Sequence, residues 1–457
     1  MDRRGPESGT AGTGTAIGPR SWVERRFATC LAVIGVGALA LRVVYVVHRR
    51  WNLPLEGDAW FYHWQADLLS RGHGFISSSS FYMAGITRES ADHPPLFTLY
   101  LTALDLVGLR SPRGQLLTLS LMGTATVVIL GLVGRRIGGA RAGLITAAIA
   151  ATYPPLWVNE GTLVSESMFL LVVSAVLYTI YRYWESQSTR LALVIAGLIG
   201  VATLVRAEAL LILPFVLLPM VVRATKHKVL VQRFGVVFGL AMVTATVISP
   251  WVLFNLARFD RPMLLSADGI TLAEGNCDST YHGVALGYYD LNCIHGPSVA
   301  GPQLERYYAK HDQSVENAQQ RSQAFRYMRA HIDEVPGVML ARVGRLWQIT
   351  RVDQTRRFDI EIEGRDHDAV TIGYWYTYAL MPLAAAGAVV VFRRRVPITP
   401  LVMLIFIATV TSAMALGVLR YRVLAEPALV LLAAMAVASA LHWVTNRPRP
   451  AEALPSG

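Results

Sequence analysis

The chain has 457 residues, 53% hydrophobic and only 16% charged, with a mean hydropathy of +0.40, which lies outside the range of soluble domains, where about one residue in four is charged. It reads as an all-α polytopic membrane protein. The formal net charge of +11 does not argue for nucleic acid, because much of the Lys and Arg sits in short clusters between apolar runs, where the cations of cytoplasmic loops belong.

Residues 1–26, rich in Gly, Thr, Ser and Arg, lack an apolar period and are expected to form a disordered cytoplasmic tail. The first apolar run, 27–47, is long for a signal-peptide core and is followed by HRRWNLP rather than a small-residue cleavage site, so a retained membrane helix is predicted. Further apolar runs fall at 95–109, 114–134, 141–157, 162–181, 191–205, 207–222, 234–256, 371–392, 398–416 and 423–443. The expectation is a bundle of about 10–11 transmembrane helices.

Cations set the orientation. Arg3, Arg4, Arg20, Arg25 and Arg26 place the tail inside, and with it the clusters at Arg135, Arg136 and Arg141, at Arg182 and Arg190, at Arg223, Lys226, Lys228 and Arg233, and at Arg393, Arg394 and Arg395. Parity then allows 95–134 a single crossing although it holds two apolar runs. The run 95–109, short and carrying Asp105, is expected to be partial. Full crossing by all eleven, with Arg135 and Arg136 outside, is the alternative. The organisation that follows is a module 27–256 with a first external loop 48–94, an extracytoplasmic loop 257–370, C-terminal membrane helices 371–443 and a cytoplasmic tail 444–457.

The first external loop carries Asp58, His63, Asp67, Glu89, Asp92 and His93. Trp60, Phe61, Trp64, Leu68 and Leu69 recur at roughly helical spacing, which predicts an interfacial amphipathic helix ended by Gly72 and Gly74, with Asp67 and Arg71 pointing elsewhere. Asp58 is expected to be the catalytic carboxylate; a helix N-cap is the alternative, and the two roles do not exclude each other. Glu160 and Glu166 lie at the outer end of 162–181, and Arg206 and Glu208 between two apolar runs. Such groups face a polar cavity or a partner, so Arg206 either pairs with Glu208 or Glu166 or binds substrate. Arg420, Tyr421 and Arg422 open the last run and suit an anion, or else interfacial snorkelling.

The loop 257–370 is expected to form a small cap, with an amphipathic helix over 324–349 that sets Arg342 and Arg345 beside Val338, Leu346 and Trp347. Cys277 and Cys293 share this loop and pair as a disulfide if the compartment is oxidising, or remain unrelated thiols.

The sequence has no GxxxxGK[ST] loop, no GxGxxG opening a helix, no GxSxG and no HExxH. Without a nucleotide site, the activated group must come from something already in the membrane. Outer-face acids with Arg206, Arg420 and Arg422 suit a lipid-phosphate donor: the arginines hold the leaving phosphate while a carboxylate deprotonates an incoming hydroxyl.

The ordered segments GDxxxYxxxAxxLxxGxGF, DHPPL, LVSESMFLL, LVRAEALLILP, SPWxxFNxxxFxRPxxLSxxGxxLxxGNC, YMRAHIDEVPGVMLARVGRLW and RYRxLAEPALVLLAA resemble bacterial members of the GT-C glycosyltransferase superfamily, over residues 27–443. The groups in question are those related to protein O-mannosyltransferases and lipid A aminoarabinose transferases. The resemblance implies a GT-C fold in the plasma (inner) membrane and a polyprenyl-phosphate sugar donor. Transfer would proceed with inversion on the extracytoplasmic face, to an envelope glycan, lipid or protein. It makes Asp58 the candidate base or metal-associated carboxylate, Asp92 and His93 the polar pair before PPL, Glu166 the acid beginning a later span, and Arg420 and Arg422 the cationic motif of the last span. Two departures bear on acceptor and metal: many relatives read Asp-Glu where this chain has Asp58-Ala59, and the aminoarabinose transferases have Glu-Lys in place of Asp92-His93. A divalent ion held by Asp58, Asp92 and His93 is one reading; a hydrogen-bonded His93 at the proline turn is the other. A transporter or flippase of a lipid-linked or anionic substrate is the rival class, and it predicts paired broken half-helices near mid-span, which the sequence lacks.

Overall fold

The computed structural model describes residues 22–227, 229–294, 302–308 and 311–445. Most of both predicted tails, and Lys228, lie outside the described residues; Trp22 to Arg26 and Val444 to Thr445 belong to helices instead. The first half runs α1 (Trp22–Tyr45), α2 (Gly57–Ser70), α3 (Ser78–Ala84), α4 (Leu96–Leu106), α5 (Pro112–Gly138), α6 (Ala140–Thr152), α7 (Pro154–Trp157), α8 (Glu166–Ser186), α9 (Thr189–Thr203), α10 (Leu218–Ala224) and α11 (Leu230–Arg258). Then come α12 (Asp268–Gly275), α13 (Asp278–Tyr281), α14 (Pro302–Tyr308), α15 (Gln313–Ala330), α16 (Val335–Leu346) and α17 (Val352–Glu361), before α18 (His367–Arg393), α19 (Thr399–Met414) and α20 (Glu426–Thr445). No strand occurs among the described residues, only a bridge between Ile76 and Glu89.

The protein is a multi-pass membrane protein. Each predicted apolar run forms a helix: among the described residues seven helical stretches are long and apolar enough to cross a bilayer, and four shorter apolar helices accompany them. The short ones, α4, α6, α9 and α19, have between 11 and 16 residues. At 1.5 Å per residue they rise only about 16–24 Å, against roughly 30 Å of hydrocarbon. The run expected to be partial is α4, the shortest of them.

α5 is the centre of the bundle, packed by α1, α6, α8 and α20, while α18 lies along α20. α18 and α20 meet backbone to backbone at Gly387, where an added Cβ would stand 1.7 Å from the Leu432 carbonyl oxygen. Where lipid competes equally for apolar side chains, such close approach of small residues is what holds membrane helices together. Between these helices Arg42 is fully enclosed: its Nε donates to Glu160 Oε1 at 2.9 Å, and its Nη atoms donate to the carbonyls of Ala38, Ala150 and Ala151. Glu160 is therefore spent inside the bundle.

The segment between α11 and α18 is a helical cap. The single amphipathic helix predicted over 324–349 is instead two helices, α15 and α16, broken at 331–334. Pro336 is the cause, since it lacks an N–H and is tolerated only in the first turn of a helix. Arg342 and Arg345 are buried, with Val338 and Leu346. Arg342 donates to Gly275 O at 2.5 Å and to Ala413 O and Met414 O, tying the cap to the last turn of α19. Cys277 and Cys293 form a disulfide with Cα atoms 6.1 Å apart.

Candidate functional site

A cavity of about 1420 Å³ opens between the helix bundle and the cap. Its walls come from the first turn of α2, the segment 88–94, residues 205–211, α12, residues 360–365 and the turn after α19.

Asp58 lies in the first turn of α2, after Glu56 at the N-cap position, and caps nothing; its carboxylate turns to the cavity. Asp58 Oδ2 accepts from Arg420 Nη1 at 2.6 Å, and Oδ1 stands 3.6 Å from His93 Nε2. Burial pushes the Asp58 carboxyl up, but the charges of Arg420 and His93 outweigh it and hold the group well below the usual carboxylate range. His93 is stacked on Tyr62 at 4.8 Å, which fixes its ring toward Asp58.

Arg420 belongs to a 3-10 turn, Leu419–Leu424, that precedes α20. Its Nε donates to Glu166 Oε1 at 2.5 Å, while Nη1 stands 3.5 Å from Glu363; Nη2 has no partner among the described residues. Glu166, at the first position of α8, also accepts from Arg206 Nη1 at 2.9 Å, and Arg206 Nε pairs with Glu208 at 2.6 Å. Both partners proposed for Arg206 are thus engaged. The Arg206 guanidinium lies between the rings of Phe169 and Tyr421, 5.8 Å from each, and still lines the cavity.

One residue of the predicted set stands elsewhere, and another is already engaged. Arg422 does not line the cavity; its Nε pairs with Glu426 at 2.6 Å and Nη1 reaches Leu346 O. Successive residues of a 3-10 turn are rotated by a third of a turn, so Arg420 and Arg422 point to different sides. Asp92 lines the cavity, but its carboxylate is engaged by Ser90 Oγ at 2.5 Å and by Gln313 Nε2 of α15. The trio Asp58, Asp92 and His93 is therefore not assembled as a metal site, and among the described residues no group of three or more His, Cys, Asp or Glu side chains is placed to hold an ion.

α2 also differs from expectation. Its buried face includes Tyr62, His63, Ala66, Asp67 and Leu68, with Trp60, Trp64 and Leu69 half-buried. Asp67 accepts from Tyr82 of α3 at 2.7 Å and from Arg71, and His63 meets Gln115, which reaches on to Asp105. Cover by α3, α4 and α5 gives these polar groups partners, so the polar side of the pattern is not the solvated side.

The cap supplies three groups that the sequence reading did not single out: Glu274, Glu363 and Tyr289. Tyr289 donates to Glu363 Oε1 at 3.3 Å. Burial raises the Glu363 carboxyl, against the pull of Arg420 and Arg365. Burial, with the charges of Asp58 and Glu363, pushes Glu274 up to about 8. Their one sequence signal is an acid directly before a glycine, Glu274-Gly275 and Glu363-Gly364.

Residues 92–254 match the family described as dolichyl-phosphate-mannose-protein mannosyltransferase. The oligosaccharyltransferase of Archaeoglobus fulgidus superposes in its apo form with a TM-score of 0.53 at 13% identity, over 94% of this chain and 53% of that one. The same organism's AglB, in complex with an inhibitory peptide and a dolichol-phosphate, superposes with a TM-score of 0.51 at 12% identity, again over 94% and 53%. The fold is the GT-C membrane fold. The chain spans about half the length of these solved proteins. ArnT from Cupriavidus metallidurans bound to undecaprenyl phosphate gives a TM-score of 0.43 at 15% identity, over 92% of this chain and 80% of that one. No curated protein matches by sequence. The family match begins at Asp92, so Asp58 and α2 lie before it and Arg420 after it.

Proposed function

We propose that the chain is an inverting glycosyltransferase of the plasma membrane, moving a sugar from a polyprenyl-phosphate donor to an envelope glycan, lipid or protein on the extracytoplasmic face. The observation that carries this reading is the meeting of Asp58 and Arg420 at 2.6 Å in one large cavity, with one guanidinium nitrogen of Arg420 left open. The match to a dolichyl-phosphate-mannose family, and the dolichol-phosphate bound to AglB, support a lipid-phosphate donor.

In this reading the donor phosphate takes the open side of Arg420, with Arg206 beside it, because a guanidinium offers donors in a fork that fits phosphate oxygens. The phosphate competes with Asp58 for Nη1, so donor binding loosens the ion pair and frees the carboxylate. Asp58 then accepts the proton of the acceptor's hydroxyl. The hydroxyl oxygen bonds to the anomeric carbon, and the bond from that carbon to the phosphate oxygen breaks, its electron pair leaving with the lipid phosphate. Balancing that charge with fixed guanidiniums is the stabilisation this chain offers. Bilayer lipid surrounds the bundle and no nucleic acid takes part. The basic clusters that read as inside loops, together with the disulfide of the cap, favour the extracytoplasmic face.

The test is transfer from radiolabelled polyprenyl-phosphate sugars to envelope membranes by the purified protein. Wild type should move label, and Asp58→Asn should not while retaining lipid binding. A folded wild type that binds no polyprenyl phosphate would overturn the reading.

A further inference from the structure

Glu274 lines the cavity and is left idle by the mechanism. Asp58, Glu166, Glu208 and Glu363 each meet a guanidinium, whereas burial and the charges of neighbouring groups act on Glu274, with no hydrogen bond to its carboxyl among the described residues. Its backbone is held firmly. The Glu274 carbonyl accepts from Asp290 N–H at 3.0 Å, the next carbonyl, Gly275 O, accepts from Arg342 at 2.5 Å, and the Asn276 side-chain Nδ2 donates to Leu272 O at 2.7 Å. Gly275 has no room for a side chain, since a Cβ there would stand 2.7 Å from Leu416 Cδ2 and 3.0 Å from Ala415 O. A fixed backbone carrying an unpartnered carboxyl into a cavity is the arrangement of a ligand-binding group.

What faces it narrows the ligand. The charged and titratable groups around Glu274 are Asp58 of α2, Arg420 and Tyr421 of the 3-10 turn, and Glu363 and Tyr289 of the cap. Arg420 is where the donor phosphate is placed above and Asp58 is where the acceptor proton goes, so the sugar, bonded directly to that phosphate, lies beside this pair in the cavity that Glu274 also lines. We propose that Glu274 is a specificity-determining residue that hydrogen-bonds a hydroxyl of the donor's sugar ring, so that the cavity prefers sugar-bearing lipid phosphate over the bare lipid phosphate. This rests on the polyprenyl-phosphate reading above. Because Glu274 stays a neutral acid up to about pH 8, it offers an O–H donor at neutral pH and adds no charge against the phosphate. Above that pH it ionises beside Asp58 and Glu363, and the donor hydrogen bond is lost.

The experiment is binding of polyprenyl phosphate and of its mannosyl, glucosyl and galactosyl forms to detergent-purified full chain. Wild type should hold its best sugar form about tenfold or more tighter than the bare lipid, the size expected of one hydrogen bond to a site built for it. Glu274→Ala should bring the two affinities together without weakening bare polyprenyl phosphate. Glu274→Gln, which keeps a donor, should retain most of the difference and, unlike wild type, keep it above pH 9. Equal thermal unfolding of the two variants shows that folding is not what changed. A sugar preference that survives in Glu274→Ala, or a loss confined to acceptor affinity in the transfer assay, overturns this inference and leaves the donor reading standing. A wild type that binds neither lipid defeats both.

Discussion

Arg42 and Arg420 are both guanidiniums held against a glutamate inside the same helix bundle, and they differ in what completes their donors. Arg42 spends every nitrogen on protein, with Glu160 and three carbonyls, and is 1% exposed. Arg420 is shared by Glu166 and Asp58, has a third acid at 3.5 Å, keeps one nitrogen open and is 18% exposed toward a cavity. A buried charge pair is by itself weak evidence of either stability or function, because desolvation offsets much of its attraction. Closure is what separates the two: a saturated guanidinium holds helices, and an unsaturated one facing solvent holds something that arrives.

The largest effect expected from this contrast is at the open centre. Asp58→Asn should lower transfer by about 100- to 10,000-fold, the range of general-base contributions, with unfolding temperature and donor affinity near wild type. At the closed centre, Glu160→Leu strands Arg42 in the bundle and should cost about 3–5 kcal/mol of stability. Unfolding in detergent measures that loss, while the donor KM of the protein that remains folded should not move. If Glu160→Leu instead changed donor KM and spared stability, the distinction between closed and open centres would collapse. Cys277→Ser removes a cross-link between residues 16 apart and should cost about 3 kcal/mol, read as a lower unfolding temperature under oxidising conditions only. Arg420→Lys keeps the charge and loses the fork, so donor KM should rise about tenfold, one bidentate contact's worth.

The smallest effect is the pH profile. Arg420 and His93 lower the Asp58 carboxyl, so its ionised form, and the stability its pairing contributes, persist above the unfolded value and are lost only as pH falls through the lowered folded value. Transfer should therefore hold its rate through pH 5. In Arg420→Lys, with a weaker pairing, the acid limb should move to higher pH.

The bundle was legible in the sequence because lipid leaves the backbone few choices: every apolar run from 27–47 to 423–443 became a helix. Asp58 and Arg420 were legible because ionisable groups beside such runs are costly and need a reason. Arg422 was not separable from Arg420, since two residues in a 3-10 turn look alike in sequence and differ by rotation. Asp92 read as a site group because nothing in the pattern places Gln313, more than 200 positions away, against it. Glu274 was hidden in a stretch whose turns carry no period, and its meaning depends on Arg342 and Leu416 arriving from other helices.

The short helices carry one more consequence. Three of the four end at the cavity: α4 starts just after Pro94, α9 stops just before Val205 and Arg206, and α19 stops at Met414. Their shortfalls against the hydrocarbon layer are about 14, 8 and 6 Å, and each is short at a helix end that borders the cavity lining. On the polyprenyl-phosphate reading proposed above, a phosphate on a long isoprenoid tail would reach Arg420 with its chain still in the bilayer. Substrate delivery would then be lateral diffusion in two dimensions, without lifting the lipid out of the membrane.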